Sequence, residues 1–204
     1  MKLKEALNEI GRPFVIEDCS RDNLPEFFKE MGYKIGAEIG PYHGEFTAKF
    51  CEAGLKMYAI DPWIAYLGAG RSENKQDKQD TNYDIAKRNL GKYDNCEIIR
   101  SYSMDALSKF ENNSLDFVYI DGDHRFRYIA EDITEWTNKV KKGGVVSGHD
   151  YFNTDPWANN VLCQVKSVVD AYIDAYRIEK FYIFGKLEET KQKNDRFYSW
   201  MFIK

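Results

Sequence analysis

A chain of 204 residues is long enough for one α/β domain with a substantial core. Its formal charge of −4 and pI near 5.5 leave no electrostatic footprint for nucleic acid. No stretch approaches the roughly 20 apolar residues that cross a bilayer, and Met1 to Glu5 open no signal-like apolar core, so a cytoplasmic protein without a membrane partner is expected.

The elements alternate in the manner of βαβ units, which predicts a parallel sheet. Residues 1–33 read as an N-terminal helical segment, with a helix from Asp22 to Met31 that tolerates Pro25 near its start. A first strand follows from Lys34 to Ile39, a helix from Glu45 to Ala53, and a second strand from Leu55 to Ile60. Residues 62–81 form a long polar connection, of the kind that is usually a functional lid or a disordered loop. A helix resumes from Asn82 to Leu90, and strands follow over Cys96 to Ile99 and Leu115 to Ile120. Ile129, Ile133, Trp136 and Val140 share one helical face, and Lys141-Lys142-Gly143-Gly144 reads as that helix's C-terminus. A fifth strand ends at Gly148, and Val161 to Tyr176 is helical. Phe181–Phe184 and Phe197–Ile203 are strands joined by a short polar turn, so that pair must be antiparallel. No internal repeat or second domain is visible, and Cys19, Cys51, Cys96 and Cys163 are too scattered for a zinc or redox motif.

Polar residues cluster where several strands end, which is how an open parallel sheet builds a ligand cleft. The first turn, Gly36-x-Glu38-x-Gly40-x-x-x-Gly44, lets a ligand approach the backbone closely but is not the dinucleotide fingerprint G-x-G-x-x-G. Glu38, inside the strand, would repel a pyrophosphate and suits a cationic amino group. Asp61 ends the next strand, about 20 residues on, where an acid can hold ribose hydroxyls. A nucleoside with an amino-acid tail satisfies both acids, and S-adenosylmethionine is such a molecule.

The pattern resembles the class I S-adenosylmethionine-dependent methyltransferases. That resemblance implies a Rossmann-like, mostly parallel seven-stranded sheet with an antiparallel final strand and helices on both faces. It implies that Gly40, Tyr42 and Gly44 hold the methionine part beside Glu38, and that Asp61 holds the ribose. Pro62 and Trp63 follow that acid, and Ser103 and Met104, after the third strand, would contact adenine. Asp121-Gly122-Asp123-His124, Trp136, Lys142-Gly143-Gly144 and Gly148-His149-Asp150-Tyr151 look more specifically like methyltransferase family 24, to which magnesium-binding sugar O-methyltransferases are related.

Methyl transfer to a hydroxyl requires the oxygen to lose its proton as it attacks. A divalent metal can promote this, or a histidine can take the proton. Asp121 and Asp150 suit Mg²⁺ or another hard divalent cation, with His149 a further ligand candidate. Asp121 also borders the cofactor, and His124 is the candidate base, with His149 the alternative. Asp123 is a further ligand or orienting candidate, and a helix cap is the alternative reading of Asp121. His43 reads as a loop residue. Trp63 and Tyr66 either close over a ligand or anchor the loop; Asp155, Trp157 and Asn159 are substrate-side candidates by position alone. The expected reaction is methyl transfer to a hydroxylated small molecule such as a sugar, metal-assisted. Metal-free N- or O-methylation, a nucleotide-binding dehydrogenase and a non-catalytic module of the same fold are the alternatives. Sheets of this kind often form homo-oligomers, but no feature here shows how.

Overall fold

The computed structural model describes residues 2–65, 75–155, 162–185 and 197–204. Its elements run α1 (Leu3–Ala6), β1 (Gly11–Ile16), a 3₁₀ turn (Arg21–Asn23), α2 (Leu24–Glu30), β2 (Ile35–Ile39), α3 (Glu45–Glu52), β3 (Lys56–Asp61) and α4 (Gln76–Leu90). Then come β4 (Cys96–Arg100), α5 (Ser103–Ala106), a second 3₁₀ turn, β5 (Leu115–Ile120), α6 (Phe126–Lys139), β6 (Val140–Gly148), α7 (Val165–Ala175), β7 (Lys180–Phe184) and β8 (Ser199–Ile203).

The strands form one sheet in the order β1-β7-β8-β6-β5-β2-β3-β4. β8 runs antiparallel to both β6 and β7, while the other pairs are parallel. The expected antiparallel closing strand is thus present. Among the described residues the strand count is eight rather than seven, because Gly11–Ile16 adds an edge strand beside β7. The expected helical N-terminal segment is therefore mixed. Its strand carries Pro13 and exposed positions, so no alternating pattern marks it, and pairing with β7 decides its conformation.

Both faces of the sheet are covered. Ile129, Ile133 and Trp136 of α6, with Val168, Val169 and Ile173 of α7, pack on Ala37, Val118, Val146 and Phe202. On the other face Phe27 and Phe28 of α2 and Phe46 and Phe50 of α3 pack on Met57, Phe117, Tyr119, Val145 and Met201. The aromatic surplus fills both layers, and in the second the Phe28 and Phe117 ring centroids lie 4.2 Å apart. Several boundaries differ from expectation; among them, residues 162–164 precede α7 rather than belonging to it, and α2 begins at Leu24 after a 3₁₀ turn. The helix α6 ends at Lys139 and Val140 already begins β6, since the sheet ladder to Leu115 claims it. The helix α4 starts at Gln76, inside the segment expected to be a lid. Tyr66, Trp157, Asn159 and the turn at 186–195 lie outside the described residues.

Candidate active site

The strand order reverses between β2 and β5, which makes their carboxyl ends the switch point where an open sheet opens a cleft. Backbone hydrogen bonds carry the sheet just past its strand ends. Gly40 N–H donates to Ile60 O (2.9 Å), Asp121 N–H to Ile39 O (2.8 Å) and His149 N–H to Ile120 O (3.2 Å). These bonds bring the glycine turn, Asp121 and His149 side by side.

Gly40 has φ 84°, and a Cβ there would collide with the carbonyl oxygen of Asp121 and stand 2.6 Å from Gly122 Cα. Only glycine lets these two strand ends cross so closely. Gly44 caps α3 with φ 77°, and a Cβ would meet Leu90 at 2.7 Å. Between them Tyr42 is left-handed and exposed, its ring stacked on His43 at 3.8 Å. His43 Nε2 lies 3.0 Å from Asn82 Oδ1, and its carbonyl accepts from Asn89, so it holds the loop, as expected.

Glu38 is 2% exposed and accepts a hydrogen bond from the Thr47 hydroxyl of α3. Burial pushes its carboxyl up to about 8, against the bond from Thr47. Asp61 is pushed up to about 6, again chiefly by burial, and accepts from Trp63 N–H at 2.7 Å. Trp63 itself is 1% exposed and its Nε1 donates to Tyr42 O. Its indole therefore ties the β3 turn to the glycine turn and offers no open stacking face, which settles it as an anchor. Pro62 O accepts from Arg100 Nε at 3.4 Å. Arg100 also donates to Trp63 O and pairs with Asp80 at 2.7 Å, clamping the described ends of the β3–α4 connection.

Ser103 is committed on both sides: Trp136 Nε1 donates to its oxygen at 2.7 Å, and its hydroxyl donates to Asp132. Asp132 is 4% exposed, and burial pushes it up to about 7. Met104 packs against the core beside them. Asp132, Thr47 and Arg100 escaped the sequence reading. Asp132 left one trace, an acid on the buried face of α6 between Ile129 and Trp136.

Asp121, His124 and Asp150 converge, with one ligand atom from each within 4.8 Å of the others. His124 Nε2 stands 3.4 Å from Asp121 Oδ1 and 3.2 Å from Asp150 Oδ2. His149 Nδ1 lies 3.3 Å from Asp150 Oδ1 but outside that group of three. Asp150 takes φ 53°, a strained turn that aims its carboxylate back into the cleft. Burial works to raise the Asp121 carboxyl, yet it is held below the usual carboxylate value. The His124 contact and the charges of His149, His124 and Arg21 outweigh burial. Arg21 Nη1 reaches Asp121 Oδ2 at 3.4 Å, a contact between residues 100 apart that no sequence pattern announces. Asp123 turns to Arg125, accepting from its N–H at 3.0 Å and from its guanidinium. The first N–H of α6, that of Phe126, instead donates to Gln164 Oε1 at 3.0 Å, and no side chain at the N-cap position Arg125 caps the helix. Asp155 is exposed beyond β6.

The geometry tests the two groups that the fold implies. Octahedral Mg²⁺ with bonds of about 2.1 Å places neighbouring ligand atoms about 3 Å apart, and His124 Nε2 stands 3.4 Å and 3.2 Å from its two carboxylate neighbours. Two carboxylates and one imidazole also suit a divalent ion. A buried carboxyl beside a glycine-lined turn, with a second acid at the next strand end, fits an amino-acid-bearing nucleoside.

A family profile described as a methyltransferase domain, of the family 24 type, matches residues 37–151. The chain belongs to this family. It is a methyltransferase with the class I S-adenosylmethionine-dependent fold. Uncharacterized protein R132 of Acanthamoeba polyphaga mimivirus is 26% identical over 185 residues, covering 87% of this chain and 78% of that protein. The O-methyltransferase TomG of Streptomyces achromogenes, solved in complex with SAM, superposes with a TM-score of 0.64 at 14% identity, covering 90% of this chain and 78% of that one. A putative caffeoyl-CoA O-methyltransferase from Staphylococcus aureus gives 0.62 at 14% identity over 90% and 82% of the two chains. Among the described residues no helix is long and apolar enough to cross a membrane.

Proposed function

We propose that this methyltransferase moves the methyl group of S-adenosylmethionine to a hydroxyl of a small acceptor, a sugar being one candidate class. The observation that carries this reading is the convergence of Asp121, His124 and Asp150 beside the glycine turn that holds Glu38 and Gly40. Glu38 faces the amino group of the cofactor and Asp61 its ribose. Tyr42 and Gly44 border the methionine end. Ser103 and Met104 form the adenine end, with Ser103 held by Asp132 and Trp136. When bound, S-adenosylmethionine supplies an electrophilic methyl group on a sulfonium.

The protein's task is then to position the acceptor oxygen and remove its proton. His124 Nε2 is placed to take that proton, because Asp121 and Asp150 flank it and stabilise the positive charge it would acquire. A divalent ion would be held by the same three side chains and would acidify the hydroxyl by direct contact. Both routes use His124 Nε2, so in any one turnover it is either base or ligand. Calorimetric titration with S-adenosylmethionine and its demethylated product, with and without Mg²⁺, is the test. Micromolar binding followed by a methyl mass gain on hydroxylated acceptors supports the reading; absence of binding under every condition removes it.

A further inference from the structure

Asp121 turns its two carboxylate oxygens to different partners: Oδ1 to His124 and Oδ2 to Arg21. The Arg21 side chain is only 17% exposed, and its guanidinium lies 5.2 Å from the centre of the Phe46 ring of α3. The turn beneath it is held on several sides. Asp22 N–H donates to Ser20 Oγ at 3.3 Å, and Ser20 N–H donates to Asn23 Oδ1 at 2.9 Å. Lys49 of α3 pairs with Asp22 at 2.6 Å, and Gly185 N–H, after β7, donates to Cys19 O at 2.8 Å. Arg21 is therefore aimed at Asp121 by a docked turn rather than draped over the surface.

A fixed cation thus stands at the edge of a group whose donor set also suits a divalent ion. One carboxylate cannot serve both equally. An ion bound by Asp121 sits a few ångströms from the guanidinium, and in a partly buried site that repulsion is weakly screened. The ion would also occupy the His124 Nε2 lone pair that accepts a proton. The site therefore has two exclusive states, one with the base available and one with the metal bound.

We infer that Arg21 biases the site toward the metal-free state by competing with divalent cations for Asp121. It is a positioning residue: it acts through Asp121 and leaves His124 Nε2 available to the acceptor's proton. The inference rests on the transfer site proposed above. The test is calorimetric titration of Mn²⁺ into the wild type, Arg21→Gln, Arg21→Met and Arg21→Lys, with thermal unfolding to verify that each folds. Gln and Met remove the charge and should tighten Mn²⁺ binding at least about tenfold, whereas Lys keeps it and should stay within about threefold of wild type. Equal or weaker binding by both uncharged variants overturns the competition and leaves the transfer site standing. No Mn²⁺ binding by any of the four proteins overturns it too, together with the metal-assisted route. Titration of the demethylated cofactor into the same samples then shows whether the cofactor reading survives.

Discussion

Glu38 and Asp61, at the ends of β2 and β3, are shielded from water, and burial dominates both carboxyls. Asp121, at the end of β5, is also shielded from water, but two imidazoles and a guanidinium face it and hold it ionised. One cleft thus contains carboxyls tuned in opposite directions by what surrounds them. The first pair is primed to gain from an incoming cation. The second group already has a fixed cation in Arg21 and is arranged around a shared proton or ion. Under the proposed function this difference divides the labour between the two halves, one binding and the other chemistry.

The most disruptive way to break that division is at the crossing of the two halves. Gly40→Ala adds a Cβ against the Asp121–Gly122 backbone at a left-handed φ. It should cost about 2–4 kcal/mol of stability and abolish cofactor binding, as read from urea midpoints and calorimetry. Next comes Asp150→Asn, chosen because asparagine tolerates the left-handed turn that Asp150 occupies. It should lower kcat about 10²–10³-fold while the affinity for the demethylated cofactor stays within about threefold. Parallel loss of affinity would mean that the two halves are not separable.

Asp61→Asn should do the converse, weakening cofactor affinity about tenfold and leaving metal affinity in place. Unchanged cofactor affinity would remove Asp61 from the binding half.

A pH dependence tests the binding half without altering the site's geometry. Glu38 has a folded value of about 8 against an ordinary 4.5. Between those values the unfolded chain has lost a proton that the folded chain keeps, so stability falls as pH rises through this window and is flat on either side. Glu38→Gln should remove that slope, measured as the difference between wild-type and variant urea midpoints from pH 5 to 8. Matching slopes would show that Glu38 is ionised in the free protein. For the same reason, cofactor binding near pH 7 should release a proton, detectable as a dependence of the binding enthalpy on the buffer.

The cleft was legible because chemistry and strand ends coincide in the sequence. Glu38, Asp61, Asp121 and Asp150 each end or closely follow an apolar run, and a sheet with period-two packing can only place such residues at its rim or inside it. The sequence by itself determined the alternating layers, the antiparallel closing strand and the glycine turn, because local periodicity and turn chemistry are short-range properties. Tertiary structure alone decided the rest. Pairing with β7 made Gly11–Ile16 an edge strand. Arg125 claimed Asp123, and the first N–H of α6 went to Gln164 rather than to Asp121. Burial of Trp63 made it an anchor rather than a platform. Docking of the Ser20–Asn23 turn on α3 carried Arg21 to a carboxylate 100 residues away. Each of these outcomes depends on which surfaces meet, and contacts across that much chain leave no periodic trace in the sequence.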